Sequence, residues 1–171
     1  LTLLRLPLTQ EAAVFELGMN HCGEIRRLCA LTLPHVGVIT NVGLAHVGYL
    51  GSIEGVAQAK GELFEALDAT GIALVNADDP YILPLRRHVA GRVVTFGQSP
   101  GADVRGWIET DYGLDGIDGT FFLENRPWRV HLALPGKHQV MNALAAAAVG
   151  VALHIPAARI VEALQSVQGT Y

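Results

Sequence analysis

Three residues in the first third of the chain are of types that an ordinary fold has no need to place where they stand. Glu16 closes the apolar run at 12–15, His46 comes soon after the apolar run Val36–Ile39, and Lys60 lies inside an apolar helical stripe. A carboxylate and an imidazole at the ends of neighbouring buried strands are a candidate ligand pair for a hard cation such as Mg²⁺ beside substrate phosphates. We therefore expect the three residues to belong to one site.

Lys60 is the least expected of the three because of its place on a helix. Residues 52–67 (SIEGVAQAKGELFEAL) carry apolar side chains at 53, 56, 63, 64 and 67, and at about 100° per residue Lys60 falls near the centre of that stripe. An ammonium group in such a place must be paired, neutralised or chemically modified. The alternative is a lysine whose stem packs on the protein while its charged end reaches water.

Glu16 and His46 also have simpler explanations. The carboxylate of Glu16 could cap a nearby helix, and His46 could be a hydrogen-bonded loop histidine. The sequence leaves both alternatives open, and the case for a site rests on the three residues occurring together.

The composition excludes several classes of protein. With 171 residues, 50% of them hydrophobic and 16% charged, the chain can bury a core as one domain. Its formal net charge of -4 and the lack of a basic run argue against a nucleic-acid partner.

The cysteines and the apolar runs bear on the cellular compartment. Cys22 and Cys29 form no CxxC pair, as is typical of thiols in a reducing compartment. No signal peptide is recognisable and the apolar stretch 143–153 is too short to span a bilayer, so we expect a cytoplasmic protein without membrane insertion.

The order of predicted elements indicates an α/β fold. Short apolar strands predicted at 12–15, 36–39, 72–75 and 93–96 alternate with helices predicted near 23–32, 52–67 and 80–89. Continuous apolar strands between helices imply a mostly parallel sheet flanked by helices on both faces. Ligands bind such sheets at the carboxyl ends of the strands.

The pattern of predicted elements changes after residue 100. Strands predicted at 102–110, 119–124 and 128–134 are separated by Asp-Gly and Asn-Arg-Pro turn signals, which indicates a small antiparallel β region. Helices are predicted at 142–153 and, after Pro156, at 157–167. We expect one domain, 1–171, made of a sheet portion (1–100), an antiparallel β subregion (101–135) and a helical return (136–171).

Six short strings carry the strongest signal in the sequence. They are ELGMNHCGEI at 16–25, ITNVGLAH at 39–46, AKGELF at 59–64, VNADDP at 75–80, VTFG at 94–97 and LPGKHQVMNALAA at 134–146. With these strings, in this order and over essentially its whole length, the chain closely resembles the central domain of the Mur ligase family. The continuation GMNHCGEI after Glu16 is most similar to the branch of the family that adds D-alanyl-D-alanine.

The resemblance implies a P-loop-like α/β fold and an ATP-dependent amide ligase. Its substrates would be UDP-N-acetylmuramoyl-tripeptide and D-alanyl-D-alanine, and its product would be a peptidoglycan precursor for the cell wall. In the family, a substrate carboxylate attacks the γ-phosphate of ATP to give an acyl phosphate, and the incoming amine then displaces phosphate. Mg²⁺ and fixed cations are needed around the transferring phosphoryl oxygens because negative charge builds up there.

The resemblance also implies roles for the three residues above. Glu16 and His46 match residues that hold Mg²⁺. Lys60 matches a lysine that is carbamylated in several branches, and a carbamate there would hold a second Mg²⁺, so Lys60 and His46 are also the catalytic candidates. Carbamylation requires a neutral amine, and desolvation lowers the pKa of a lysine in that direction.

Five further polar residues are candidates for contacts with ligands. Asn142 matches a family asparagine near the nucleotide base, and His138 lies in the same motif, although an asparagine at a helix start is equally explained as a cap. Asn20, His21 and Asn41 lie on the strand-end loops and are candidates for substrate or phosphate contacts.

Two departures from the family pattern bear on activity. The sequence contains no GxxxxGK[ST] loop, and its only Gly-Lys pair, Gly136-Lys137, is followed by His138. Without such a loop around the β- and γ-phosphates, affinity for ATP should be poor. Gly169 is followed by Thr170, where the family has an arginine near the nucleotide. We therefore expect a fragment of the central domain, without the phosphate-binding loop and the C-terminal domain, that does not catalyse ligation alone.

Two other readings remain open from the sequence. One is a non-catalytic Mur-like domain that acts as a scaffold or binding module, and the other is an amide ligase of the same superfamily that builds polyglutamate or cyanophycin. Burying the ammonium group of Lys60 in an apolar stripe costs folding free energy, and a non-catalytic domain has no physical reason to keep it there. The sequence does not predict an oligomeric state.

Overall fold

The computed structural model describes residues 9–169, which form one six-stranded sheet with helices on both faces. The strands are β1 (Val36–Ile39), β2 (Ile72–Asn76), β3 (Arg92–Gly97), β4 (Val104–Asp111), β5 (Ile117–Leu123) and β6 (Arg126–Leu132). The helices are α1 (Glu24–Thr32), α2 (Val47–Leu50), α3 (Ile53–Glu65), α4 (His138–Ala152) and α5 (Ala157–Ser166), with short 3₁₀ helices at Leu83–His88 and Gly113–Asp115. The predicted α/β class is confirmed.

The strands lie in the sheet in the same order as in the chain, β1 to β6. β1, β2, β3 and β4 pair in parallel, and β4, β5 and β6 pair antiparallel. The antiparallel strands continue the main sheet, because β4 pairs with β3 at Phe96↔Val104 and Gly97↔Arg105. The β region predicted at 101–135 therefore shares one sheet with the parallel strands.

Two predicted elements are wrong. Residues 12–15 form no strand and Val14 is 99% exposed, because an apolar run becomes a strand only where a neighbouring strand pairs with its peptide groups. The helix predicted at 80–89 is only the 3₁₀ helix Leu83–His88, since Pro80 and Pro84 lack the amide hydrogens that a longer α-helix needs.

A core cluster lies on each face of the sheet. On one face α4 and α5 pack over the sheet around Leu144 and Phe96, which are fully buried. On the other face α1 and α3 pack around Phe64. β2 contributes to both clusters, because Leu74 points to the first and its neighbours Ala73 and Val75 point to the second.

This two-sided burial explains why the parallel strands were recognisable as continuous apolar runs. It also leaves the carboxyl ends of β1, β2 and β3 as the edge where polar loops collect. No helix within residues 9–169 combines the length and the apolarity that crossing a membrane would require.

Candidate active site

The loop that follows β1 is fastened to residues that follow β2. The Asn76 side chain donates to the carbonyl of Thr40 at 2.7 Å, and the Asp79 carboxylate accepts from the Val42 amide at 2.8 Å. Asp79 also accepts from the amides of Tyr81 and Ile82 and so shapes its own turn. These bonds hold residues 40–42 at the carboxyl edge of the sheet.

Sequence reasoning gave no role to Asn76 or Asp79, although both stand in the string VNADDP. Asn76 is buried at the end of an apolar strand, where a polar side chain must find a partner. A polar residue that ends an apolar strand, as Asn76 does, is the sequence signal for a side chain that holds a neighbouring loop.

Lys60 reaches this same loop from α3. Its Nζ donates to the carbonyl of Asn41 at 2.6 Å, and its neighbours Ala59 and Gly61 are buried. Burial lowers the pKa of Lys60, and the charge of Asp79 opposes that shift in part. The lysine therefore stands half-buried with its amine at the carboxyl edge, as its place on the apolar stripe predicted.

His46 lies at the start of α2 in a left-handed backbone conformation, with φ at 69°. Its Nδ1 is 3.0 Å from the side-chain oxygen of Asn20. Because an amide oxygen only accepts, His46 Nδ1 donates this hydrogen bond, and the tautomer with the hydrogen on Nδ1 is the one whose Nε2 carries a lone pair. The structure thus brings together two predicted site residues, His46 and Asn20, that are far apart in the sequence.

The segment before α1 is ordered by Glu24. The amides of Asn20 and His21 donate to Glu24 Oε2 at 2.7 and 3.2 Å, and His21 Nδ1 lies 3.3 Å from Glu24 Oε1. The hydrogen bond from the Asn20 amide, followed by those from His21, lowers the pKa of Glu24. The ring of His21 lies 5.9 Å from that of Tyr49, which is on α2, three residues after His46.

Glu16 is exposed on a segment without helix or strand, so it does not end a strand as predicted. Among residues 9–169, no group of three or more His, Cys, Asp or Glu side chains is close enough to hold a metal ion. The metal set Glu16, His46 and Lys60 therefore stays a prediction.

His138 and Asn142 lie on the first two turns of α4. The helix begins at His138, four residues before the predicted start, so Asn142 is inside the helix and not at its cap. Both side chains are exposed, and Asn142 Nδ2 donates to Gln139 Oε1 at 3.1 Å. Residues four apart share one face of a helix, so His138 and Asn142 present a single polar face.

A loop after β3 connects this part of α4 to the same sheet edge. The Asp78 carboxylate accepts from the amides of Gln98 and Ser99 at 2.5 and 2.9 Å. The Gln98 side chain in turn lies 3.9 Å from the sulfur of Met141 on α4. The start of α4 therefore lies against a loop at the carboxyl ends of the parallel strands.

The arrangement collects several polar groups at one edge of the sheet. It offers a half-buried amine on a helix and an imidazole oriented by an asparagine. The model of the Mur ligase middle domain matches residues 1–150 of the sequence. The chain belongs to the Mur ligase family.

Two curated relatives of this chain carry the same name. The UDP-N-acetylmuramoyl-tripeptide--D-alanyl-D-alanine ligase of Escherichia coli is 39% identical over 155 residues, which cover 90% of this chain and 34% of that protein. The ligase of the same name from Treponema pallidum is 37% identical over 158 residues, which cover 92% of this chain and 33% of that protein. The resemblance to the Mur ligase branch that adds D-alanyl-D-alanine is confirmed.

Solved Mur ligase structures share the fold. A MurF crystal structure from Acinetobacter baumannii matches with a TM-score of 0.90 and 32% identity, over 98% of this chain and 37% of that one. MurF from Thermotoga maritima, solved in complex with ADP, matches with a TM-score of 0.78 and 25% identity, over 91% of this chain and 35% of that one. The chain spans about a third of the length of the curated Mur ligases that it matches.

Proposed function

We propose that this chain is part of an ATP-dependent amide ligase that joins D-alanyl-D-alanine to UDP-N-acetylmuramoyl-tripeptide during cytoplasmic synthesis of a peptidoglycan precursor. The observation that carries the proposal is the pairing of Lys60 with Asn41 and of His46 with Asn20 at one sheet edge. Relatives that carry the name of this ligase at 37% and 39% identity support the choice of substrates.

The proposed reaction has two steps. A carboxylate oxygen of the tripeptide attacks the γ-phosphorus of ATP, the bond to the β-phosphate oxygen breaks, and ADP leaves. The amine of D-alanyl-D-alanine then attacks the acyl carbon, phosphate leaves, and the nitrogen loses a proton. Both steps place negative charge on oxygens, which bound cations and positioned hydrogen-bond donors would stabilise.

The donor groups present fit Mg²⁺ as the cation of this site. Mg²⁺ beside phosphates takes one or two protein ligands and keeps several waters, so the exposed Glu16 carboxylate and the exposed His46 ring are suitable. Asn20 holds His46 through Nδ1, as metal-binding histidines are usually held, so Nε2 would be the ligand atom. When bound, Mg²⁺ would neutralise charge on the phosphoryl oxygens.

Lys60 is proposed to act as a carbamate. Burial lowers its pKa, which raises the fraction of neutral amine. The lone pair of that amine attacks the carbon of CO₂, one carbon–oxygen π pair moves onto oxygen as the nitrogen–carbon bond forms, and the nitrogen loses a proton to water. The resulting anion would offer oxygen atoms to a second Mg²⁺ at the loop that Lys60 already contacts through Asn41.

The nucleotide is proposed to lie near the start of α4. His138 and Asn142 present an exposed polar face there. The ADP complex of the Thermotoga MurF is consistent with a nucleotide site in such a domain. Asn20, His21 and Asn41 remain proposed contacts for the substrate or its phosphate.

The test uses the full-length protein that contains this chain. We expect it to convert UDP-N-acetylmuramoyl-tripeptide, D-alanyl-D-alanine and ATP into the pentapeptide product, with ADP and phosphate released in equal amounts. Mass spectrometry of the product and a coupled assay for phosphate measure this. If the protein instead extends a polyglutamate or aspartate polymer, or makes no amide with any of these substrates, the proposal is wrong.

A further inference from the structure

Glu62 is a charged residue in the interior of the protein that the proposed chemistry leaves without a role. It lies on α3, and it is only 5% exposed. Its Oε1 accepts from the amide of Gly23 at 2.6 Å, and its Oε2 accepts from the amide of Arg26 at 3.1 Å. One carboxylate of α3 therefore binds the beginning of α1.

The beginning of α1 offers this carboxylate both hydrogen bonds and a favourable charge. The first amides of a helix have no partner inside the helix, and its N-terminal end carries partial positive charge. The cap residue Gly23 has a left-handed backbone, with φ at 87°, and no side chain with which to cap the helix. Glu62 supplies that cap from another helix, which compensates for burying its charge.

A chain of hydrogen bonds continues from this cap to His46. Glu24 stands in the first turn of α1, between the two amides that Glu62 holds, and it accepts from the amide of Asn20 at 2.7 Å. The side-chain oxygen of Asn20 then lies 3.0 Å from His46 Nδ1. The position of Glu24 depends on how Glu62 holds α1, the position of Asn20 depends on Glu24, and the orientation of the His46 ring depends on Asn20.

Lys60 is two residues before Glu62 on the same helix. Helix α3 therefore contacts the loop after β1 through Lys60 and the start of α1 through Glu62. We propose that Glu62 is a positioning residue: it holds the first turn of α1 and, through Glu24 and Asn20, sets His46 in place relative to Lys60. The inference rests on the proposed function for its effect on catalysis, but the hydrogen bonds that it invokes do not depend on that function.

Glu65→Gln is a matched control for Glu62→Gln. Glu65 lies one turn further along α3 and also contacts Arg26, but through the arginine side chain at 3.0 Å and in an exposed position. Both variants remove one negative charge from the same helix next to the same residue. Only Glu62→Gln replaces one of the two acceptor oxygens that cap α1 with a donor.

The first measurement is the Mg²⁺ dependence of ligation by the full-length protein, at a temperature where every variant is folded. Groups that orient metal ligands typically change metal affinity by 10-fold or more, so Glu62→Gln should raise the half-saturating Mg²⁺ concentration by about 10-fold. Excess Mg²⁺ should restore most of the rate. A purely structural role would lower the rate at every Mg²⁺ concentration without moving the midpoint, and that result would overturn the proposal.

The second measurement needs no activity. Hydrogen exchange of the peptide that covers residues 17–26 should be at least about 10-fold faster in Glu62→Gln and unchanged in Glu65→Gln. Unchanged exchange in Glu62→Gln would overturn the proposal. If the wild-type protein makes no amide, the proposed function fails, and exchange alone then decides whether Glu62 holds this loop.

A second variant keeps the test decisive if Glu62→Gln does not fold. Glu24→Ala changes an exposed side chain and removes the acceptor of the Asn20 amide, which is the next link of the same chain of hydrogen bonds. It should move the Mg²⁺ midpoint in the same direction. An unmoved midpoint in Glu24→Ala would count against the proposal as strongly.

Discussion

Lys60 shows at the residue scale how one side chain connects packing with chemistry. Its stem lies in the apolar stripe of α3, while its amine reaches the carbonyl of Asn41. Removing water from an ammonium group favours the neutral amine, which is the form that can react with CO₂. Burial therefore shifts Lys60 toward the form that the proposed carbamylation requires.

The lowered pKa of Lys60 predicts a pH dependence of stability. Between the native pKa and the ordinary value of 10.5, the unfolded chain binds more protons than the native one, so this residue makes stability rise with pH. The free energy of unfolding of wild type minus that of Lys60→Met should therefore increase from pH 8 to above 10. Urea unfolding across this range measures it.

Lys137→Met is the control for the loss of one lysine charge, since Lys137 is exposed at the start of α4. The change found for this control is subtracted from that of Lys60→Met. A difference that stays flat or falls with rising pH would contradict the direction of the Lys60 pKa shift.

Asn20 carries a second prediction at the residue scale. Its side-chain oxygen keeps the hydrogen of His46 on Nδ1, so Asn20→Ala should weaken the use of Nε2 as a ligand. We expect the half-saturating Mg²⁺ concentration for ligation by the full-length protein to rise by about 10-fold. Gln58→Ala removes an exposed amide from α3 and serves as the control. Equal Mg²⁺ midpoints for both variants would show that Asn20 does not orient His46.

At the scale of elements, α1 depends on α3 for its N-terminal cap. The cap residue Gly23 makes no side-chain bond, and Glu62 receives two of the amides of the first turn. The residues that precede α1 are therefore ordered by a helix that follows much later in the chain. This dependence has a consequence for stability as well as for the site.

Glu62→Gln should reduce the free energy of unfolding by about 1–3 kcal/mol, because a buried hydrogen-bond group loses its partner. Glu65→Gln breaks only an exposed ion pair and should change it by less than about 1 kcal/mol. Urea unfolding of the chain compares the two. A loss as large for Glu65→Gln would mean that charge alone, and not the cap, determines the effect.

Helix α4 gives a packing prediction. Leu144 is fully buried in the core cluster under α4, whereas Leu153, at the end of the same helix, is 50% exposed. Leu144→Ala should reduce the free energy of unfolding by about 3 kcal/mol, because it leaves a cavity as well as removing apolar contact. Leu153→Ala should reduce it by less than about 1 kcal/mol. Similar losses in thermal or urea unfolding would show that α4 does not pack as described.

At the scale of the whole molecule, the faces of the sheet form the core, and one edge of the sheet forms the candidate site. Its two faces carry the core clusters, and the carboxyl ends of its parallel strands carry the paired polar residues. The loops at that edge are held by Asn76, Asp78 and Asp79, which stand at or just after the end of β2. One turn therefore organises the loops that follow β1 and β3.

The 171-residue chain alone should not form the amide product, because its sequence has no GxxxxGK[ST] loop to hold the phosphates of ATP. Its affinity for ATP should accordingly be weak. Calorimetry with ATP and Mg²⁺, and mass spectrometry after incubation with all substrates, test this. Product formed by the purified chain at a rate similar to that of the full-length protein would refute it.

Several parts of the fold were predictable from local patterns. The strands β1, β2 and β3 were found because buried parallel strands are continuous apolar runs, and α3 was found because its apolar residues recur with a helical period. The apolar run at 12–15 also predicts a strand, but no strand forms there. A local pattern does not show whether a neighbouring strand is present to pair with it. Asn142 was placed at a helix start because the helical pattern was recognised only from that residue onward.

The sequence by itself determined the family and the α/β class, because motif strings and apolar periods are local properties of the chain. Only the tertiary structure decided that Asn20 meets His46, that Lys60 meets Asn41, and that Glu62 caps α1. These contacts join residues 19 to 39 positions apart in the chain. Their geometry follows from the packing of α1 and α3 on the sheet, which no local pattern contains.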